Sequence, residues 1–246
     1  MTSRQRLPAL AVIVLLLVGG ALLDRWARDP SPDGAVGTGQ EVGAEDVSWP
    51  VAAPGSARSS AWFCTGATSG PGGVADGTVV IANAGDRALV ATVTSIPVTG
   101  EGKVATLSVP ASGRAAQRLA DLANAPFAAA IVELDGGEAV VELVATGPLG
   151  TSVTPCASSP SPTWYFAEGV TTRDALEVLT VLNPFPEDAV VDFSFTTEEG
   201  LVTPQALTGL SVRGRGLAAI NVGEYVQRRE AVSTKVSARK IGRAHV

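Results

Sequence analysis

The chain has 246 residues and a net charge of −6, from 18 basic and 24 acidic side chains, with a single histidine. No basic block is present, which excludes the concentrated positive footprint of a nucleic-acid-binding surface. Hydrophobic residues, at 46 %, suffice for a packed core, and 27 glycines with 16 prolines favour short strands and turns over long helices.

Leu7 to Leu23 is an uncharged run of 17 residues. Arg4 and Arg6 precede it, whereas Asp24, Arg25, Arg28 and Asp29 behind it cancel. Positive charge ahead of an apolar run keeps the N-terminus in the cytoplasm and sends the rest across. The length sits at the lower limit for a spanning helix. Residues 1–28 are therefore expected to be a signal anchor, a transmembrane helix contacting the membrane through residues 7–23. Its N-terminus would be cytoplasmic and the bulk of the chain extracytoplasmic. Secretion after cleavage near Gly19-Gly20-Ala21 is the alternative. Residues 29–60, rich in Gly, Pro, Ala, Ser and acids, show no hydrophobic period and read as a flexible linker. A coil of that length spans roughly 30 Å r.m.s..

Beyond the linker the sequence repeats itself at an offset of about 100 residues. Trp62-Phe63 and Trp164-Tyr165 open two similar stretches. In the first, Thr78–Ala82 leads through Asn83-Ala-Gly-Asp-Arg87 into Ala88–Thr94. In the second, Leu176–Leu182 leads through Asn183-Pro-Phe-Pro-Glu-Asp188 into Ala189–Phe195. Each reads as strand, Asn-headed turn, strand. Val191, Phe193 and Phe195 share one face, the period of a half-buried strand. Gly113-Arg114 matches Gly214-Arg215, and Ala115–Asn124 fits either a strand or a short helix. Phe127–Leu134 and Glu138–Ala145 close the first copy, whereas the second stops after Ala231–Ala238.

The expected fold is all-β: two tandem β-sandwich domains, Ig-like in the broad sense, at residues 61–157 and 163–240, the second truncated. Residues 241–246, Ile-Gly-Arg-Ala-His-Val, match one reading frame of a common sequencing-adapter oligonucleotide. They are expected to be an artefact, which would remove His245 from the natural protein. A natural basic tail is the alternative.

Cys64 and Cys156 bracket the first copy. In an exported chain such a pair is most simply a disulfide; two free thiols in a catalytic or metal role are the alternative. With His245 set aside, Ser-His-Asp and Cys-His catalysis and most zinc sites lose a required ligand or base. Asp135-Gly136-Gly137 and Glu198-Glu199-Gly200 read as hairpin tips with solvated acids. No catalytic, cofactor-binding or metal-ligating residue is assigned, and an enzyme is not expected.

The densest local signal is Trp164-Tyr165-Phe166-Ala167-Glu168-Gly169, followed by Thr171-Thr172-Arg173. Alternation puts Trp164 and Phe166 on one face and Tyr165 on the other. The ring pair then either anchors a first strand in the core, with Glu168 and Arg173 pairing across the bend at Gly169, or forms a surface patch that stacks on sugar or on another chain.

That stretch, with Glu177-Val-Leu-Thr-Val-Leu-Asn-Pro184 and Ala189-Val-Val-Asp-Phe193, resembles a repeat of bacterial, often actinobacterial, cell-surface proteins. It also resembles an uncharacterised actinobacterial family of single-pass envelope proteins. The resemblance is good over residues 164–239 and weaker over 62–145. It implies location and architecture, and it carries over no catalytic residue. The expected role is a non-enzymatic binding, scaffolding or structural module at the cell envelope, with cell-wall glycan or another envelope protein as partner. The alternatives are a carbohydrate-binding accessory in cell-wall polysaccharide assembly, and the non-catalytic part of a hydrolase.

Overall fold

Burial alternates along the chain as the sequence requires. In β2 (Asp76–Asn83) Val79 and Ile81 are buried and their neighbours only partly so, and in β11 (Ala189–Thr197) Val191, Phe193 and Phe195 face inward. The computed structural model describes residues 50–68, 70–148 and 150–240. The apolar run 7–23, the linker up to residue 49 and the tail 241–246 lie outside the described residues. Among the described residues no helix is long and apolar enough to cross a membrane.

The described chain is all-β, with strands numbered in chain order and every pair antiparallel. One sheet has the order β1 (Ser60–Ala67), β6 (Phe127–Leu134), β3 (Leu89–Pro97), β4 (Val104–Val109). A second has the order β5 (Arg114–Arg118), β2, β7 (Ala139–Gly147), β8 (Gly150–Pro155). A third runs β12 (Gly200–Val202), β11, β15 (Val232–Lys240), β9 (Thr163–Phe166), with β13 (Leu210–Val212) also on β11. The fourth is β10 (Val178–Asn183) with β14 (Gly216–Asn221).

Trp62, Val79, Ile81, Val93, Val132 and Val141 pack between the first two sheets. Phe193, Phe195, Leu207, Ile220, Val222 and Val236 pack between the other two. Each such side chain contributes roughly 1.5–3 kcal/mol by leaving water. A small cluster of Ile96, Ala129 and Leu217, flanked by Phe127, Ile131 and Leu182, joins the first sheet to the fourth. The described residues all belong to one compact unit.

The two sets of sheets share a pairing order. β9–β15–β11 repeats β1–β6–β3, and β14–β10 repeats β5–β2. Trp62 lies opposite Val132 as Trp164 lies opposite Val236. Both turn asparagines are buried and bonded alike. The Asn83 amide donates to the carbonyls of Arg87 at 2.8 Å and Pro110 at 3.0 Å, and its oxygen accepts from the Gly85 N–H at 2.9 Å. The Asn183 amide donates to Glu187 at 2.7 Å, Val212 at 3.1 Å and Arg213 at 3.2 Å, and its oxygen accepts from the Phe185 N–H at 3.2 Å. One side chain thus closes a tight turn and ties it to a second loop.

Those bonds correct the expected alignment. Val109 corresponds to Val212, so Gly113 corresponds to Gly216 and not to Gly214. Ser112 and Arg215 then coincide, and both hold the left-handed backbone, with φ of 47° and 49°. The shared Gly-Arg dipeptide is a coincidence two residues out of register. The Ala115–Asn124 stretch begins as strand, the end of β5 at Arg118, and passes into a single 3-10 turn at Leu119–Asp121. The first copy also does not close on β7: β8 follows, exposed throughout and therefore without an apolar period to mark it.

Cys64 and Cys156 form a disulfide across 92 positions, both sulfurs inside the first core. Beyond β8 the chain crosses to β1, where Phe63 and Ala157 exchange backbone bonds at 2.8 and 3.0 Å.

Candidate functional site

The site is built on β9, the short edge strand of the third sheet. Ser161 sets its start: the Thr163 N–H donates to the Ser161 hydroxyl at 3.2 Å, and that hydroxyl donates to the Thr163 carbonyl at 2.8 Å. The Trp164 indole N–H donates to the Ser161 carbonyl at 3.2 Å, fixing the ring. Pairing with β15 sets Trp164 opposite Val236, Tyr165 opposite Lys235 and Phe166 opposite Thr234. The pleat therefore turns Trp164 and Phe166 one way and Tyr165 the other, as expected.

Their burial differs from a core anchor. Trp62 is 2 % exposed, whereas Trp164 is 41 % and Phe166 42 % exposed. Tyr165 is 72 % exposed, with the Lys235 ammonium 5.7 Å from its ring centroid. That spacing is within cation–π range. Trp164 and Phe166 line a cleft of about 260 Å³, together with Phe63, Cys156, Val181 and Leu182. A second hollow of about 70 Å³ shares Trp164, Val181 and Val236 and reaches Val191 and Val212 in the core.

The bend after β9 follows from one close approach. A Cβ at Gly169 would collide with the carboxylate of Glu177. Thr171 fastens the loop: its backbone exchanges bonds with Arg229 and Arg228, and its hydroxyl accepts from the Arg229 N–H at 3.1 Å. Glu168 and Arg173 are both exposed, and the ion pairs of the described residues join other partners. The partner packed against Gly169 is Glu177, which sequence reasoning left unassigned. Its only signal was an acid between two apolar residues at the head of a buried strand.

Burial raises the Glu177 carboxyl above its ordinary value, and the Val170 amide offsets part of that rise. One of its oxygens is buried without a partner. A carboxyl raised in the folded state binds its proton more tightly there than in the unfolded chain. Stability therefore increases as pH falls through the folded value and levels off below the unfolded one. Glu177→Gln is expected to remove that dependence. The variant should unfold at a higher urea midpoint than wild type near neutrality and at a similar one at about pH 4. A variant no more stable at neutral pH would reject this assignment. Asp192 has the opposite sign: its bond with Arg239 holds its carboxyl low, so its contribution is lost as pH falls through the folded value. That pair is largely solvated and contributes little.

Among the described residues no group of three or more His, Cys, Asp and Glu side chains is placed to hold a metal ion. His245 lies outside the described residues.

No family model matches the chain, and no curated protein matches it. Among solved structures, a Thermotoga maritima protein, 1070, is similar at 17 % identity and a TM-score of 0.34, over 41 % of this chain and 94 % of that one. Red sea bream transglutaminase is similar at 13 % identity and a TM-score of 0.18, over 75 % of this chain and 27 % of that one. Neither likeness is strong enough to carry an argument about fold or activity.

Proposed function

We propose that this chain is a non-enzymatic binding module on the outer side of a cell envelope, built from two copies of one β-sandwich, the second without a counterpart to β7 among the described residues, and held to the membrane by residues 7–23. The matching pairing order and the twin asparagine turns support the two copies. The Cys64–Cys156 disulfide supports an oxidising compartment. The observation that carries the binding role is the exposed strip Trp164-Tyr165-Phe166, which the fold places on an edge strand beside an apolar cleft. Large rings left in contact with water at one place mark an interaction surface.

Location is read by fusing alkaline phosphatase after Lys240: activity in whole cells supports export, and an inactive fusion overturns it. A second reading, a carbohydrate-binding accessory, is favoured by Tyr165, whose exposed ring and adjacent ammonium suit a polar glycan. Retention of the full chain on purified cell-wall sacculi tests it. Tyr165→Ala is expected to weaken retention about fivefold, and unchanged retention removes the glycan reading.

A further inference from the structure

The two copies differ at one edge. In the first, β2 is paired on both sides, with β5 and β7. In the second, among the described residues, β10 is paired on one side only, with β14. β7 supplies three core side chains: Ala139 opposite Asn83, Val141 opposite Ile81 and Leu143 opposite Val79, all buried. The matching positions on β10 are Asn183, Val181 and Leu179. Among the described residues no strand pairs beside them in the place of β7; a hollow reaching Val191 and Val212 opens at Val181 and Asn183, next to the cleft that Phe63 and Cys156 wall on its far side. The exposure of Trp164 has the same origin. Its counterpart Trp62 is covered on a β1 that packs against β7.

Resting on the reading of two copies, we infer that the free edge of β10 is an acceptor for one β-strand. The occupant is an extended peptide of at least six residues, antiparallel to β10. It is apolar at the alternate positions facing Leu179, Val181 and Asn183 and polar or small between them. The β2–β7 pairing in the first copy specifies that chemistry. Backbone pairing gives such an edge its affinity, and alternate side chains give it selectivity.

The test appends a copy of residues 135–147 after Lys240 in the full chain. A control carries the same composition with the apolar positions displaced by one. Only the first extension should raise Tm, by about 5 °C or more. It should also protect the β10 amides from hydrogen exchange and blue-shift the emission that Trp164→Phe removes. A synthetic peptide of residues 138–147 should bind the unextended chain saturably, and the extension should abolish that binding. No change with either extension, or equal change with both, overturns the inference. So does concentration-dependent dimerisation through β10 that the extension leaves intact, since a second copy would then own the edge. None of these readouts depends on export or on glycan binding, so the acceptor can fail while the envelope role stands, and the reverse.

Discussion

Asn183→Ala is expected to lower the unfolding free energy by about 3 kcal/mol, and Asn83→Ala by a similar amount. Each asparagine is buried and satisfies carbonyls from two separate loops while its oxygen holds an amide of its own turn. Alanine leaves those groups buried and unpaired, and each orphan costs about 1–3 kcal/mol. Aspartate separates the two halves of the role. It can still accept from the turn amide, but its oxygens then face carbonyl oxygens. Asn183→Asp should therefore be no better than alanine at neutral pH. Urea unfolding of both variants checks this. A loss below about 1 kcal/mol for alanine would mean that water replaces the side chain.

Removing the cystine has the second large effect. Cys64→Ala with Cys156→Ala is expected to cost about 4 kcal/mol, since the bond closes a loop spanning 92 positions and the chain-entropy cost of leaving it open grows with loop length. The double variant is the right comparison, because a single change strands the other thiol in the core, where both sulfurs are buried. Guanidinium midpoints of wild type with and without reductant should bracket the variant. Non-reducing mass analysis should show the native chain two hydrogens lighter than the reduced chain. Equal midpoints in oxidised and reduced forms would reject a stabilising role.

Much of the β framework is legible in the sequence because one buried face imposes a period of two. β2, β3, β6, β7 and β11 lie within a few residues of their expected limits for that reason. The asparagine turns and the hairpin at Gly200 follow from local backbone chemistry. What escapes is whatever lacks a period. β8 is exposed on both faces, and β12 and β13 have three residues each. The Gly-Arg match misleads because a dipeptide carries no register, whereas hydrogen bonds to Asn83 and Asn183 do. At the candidate site the sequence places the rings of β9 and their alternation. It does not place their exposure, which depends on which strands end up packed around β9. Nor does it show Glu177, whose contact with Gly169 exists only once the loop has closed.

The cystine also sets how the chain transmits a pull. Cys64 lies on the first strand and Cys156 just past β8, so tension applied from either side passes through the S–S bond and skips everything between. About 300 Å of contour is thereby removed from reach of the load. Under such a load the first pair of sheets is a short, inextensible link, and the second pair, which holds no cystine, is expected to yield first.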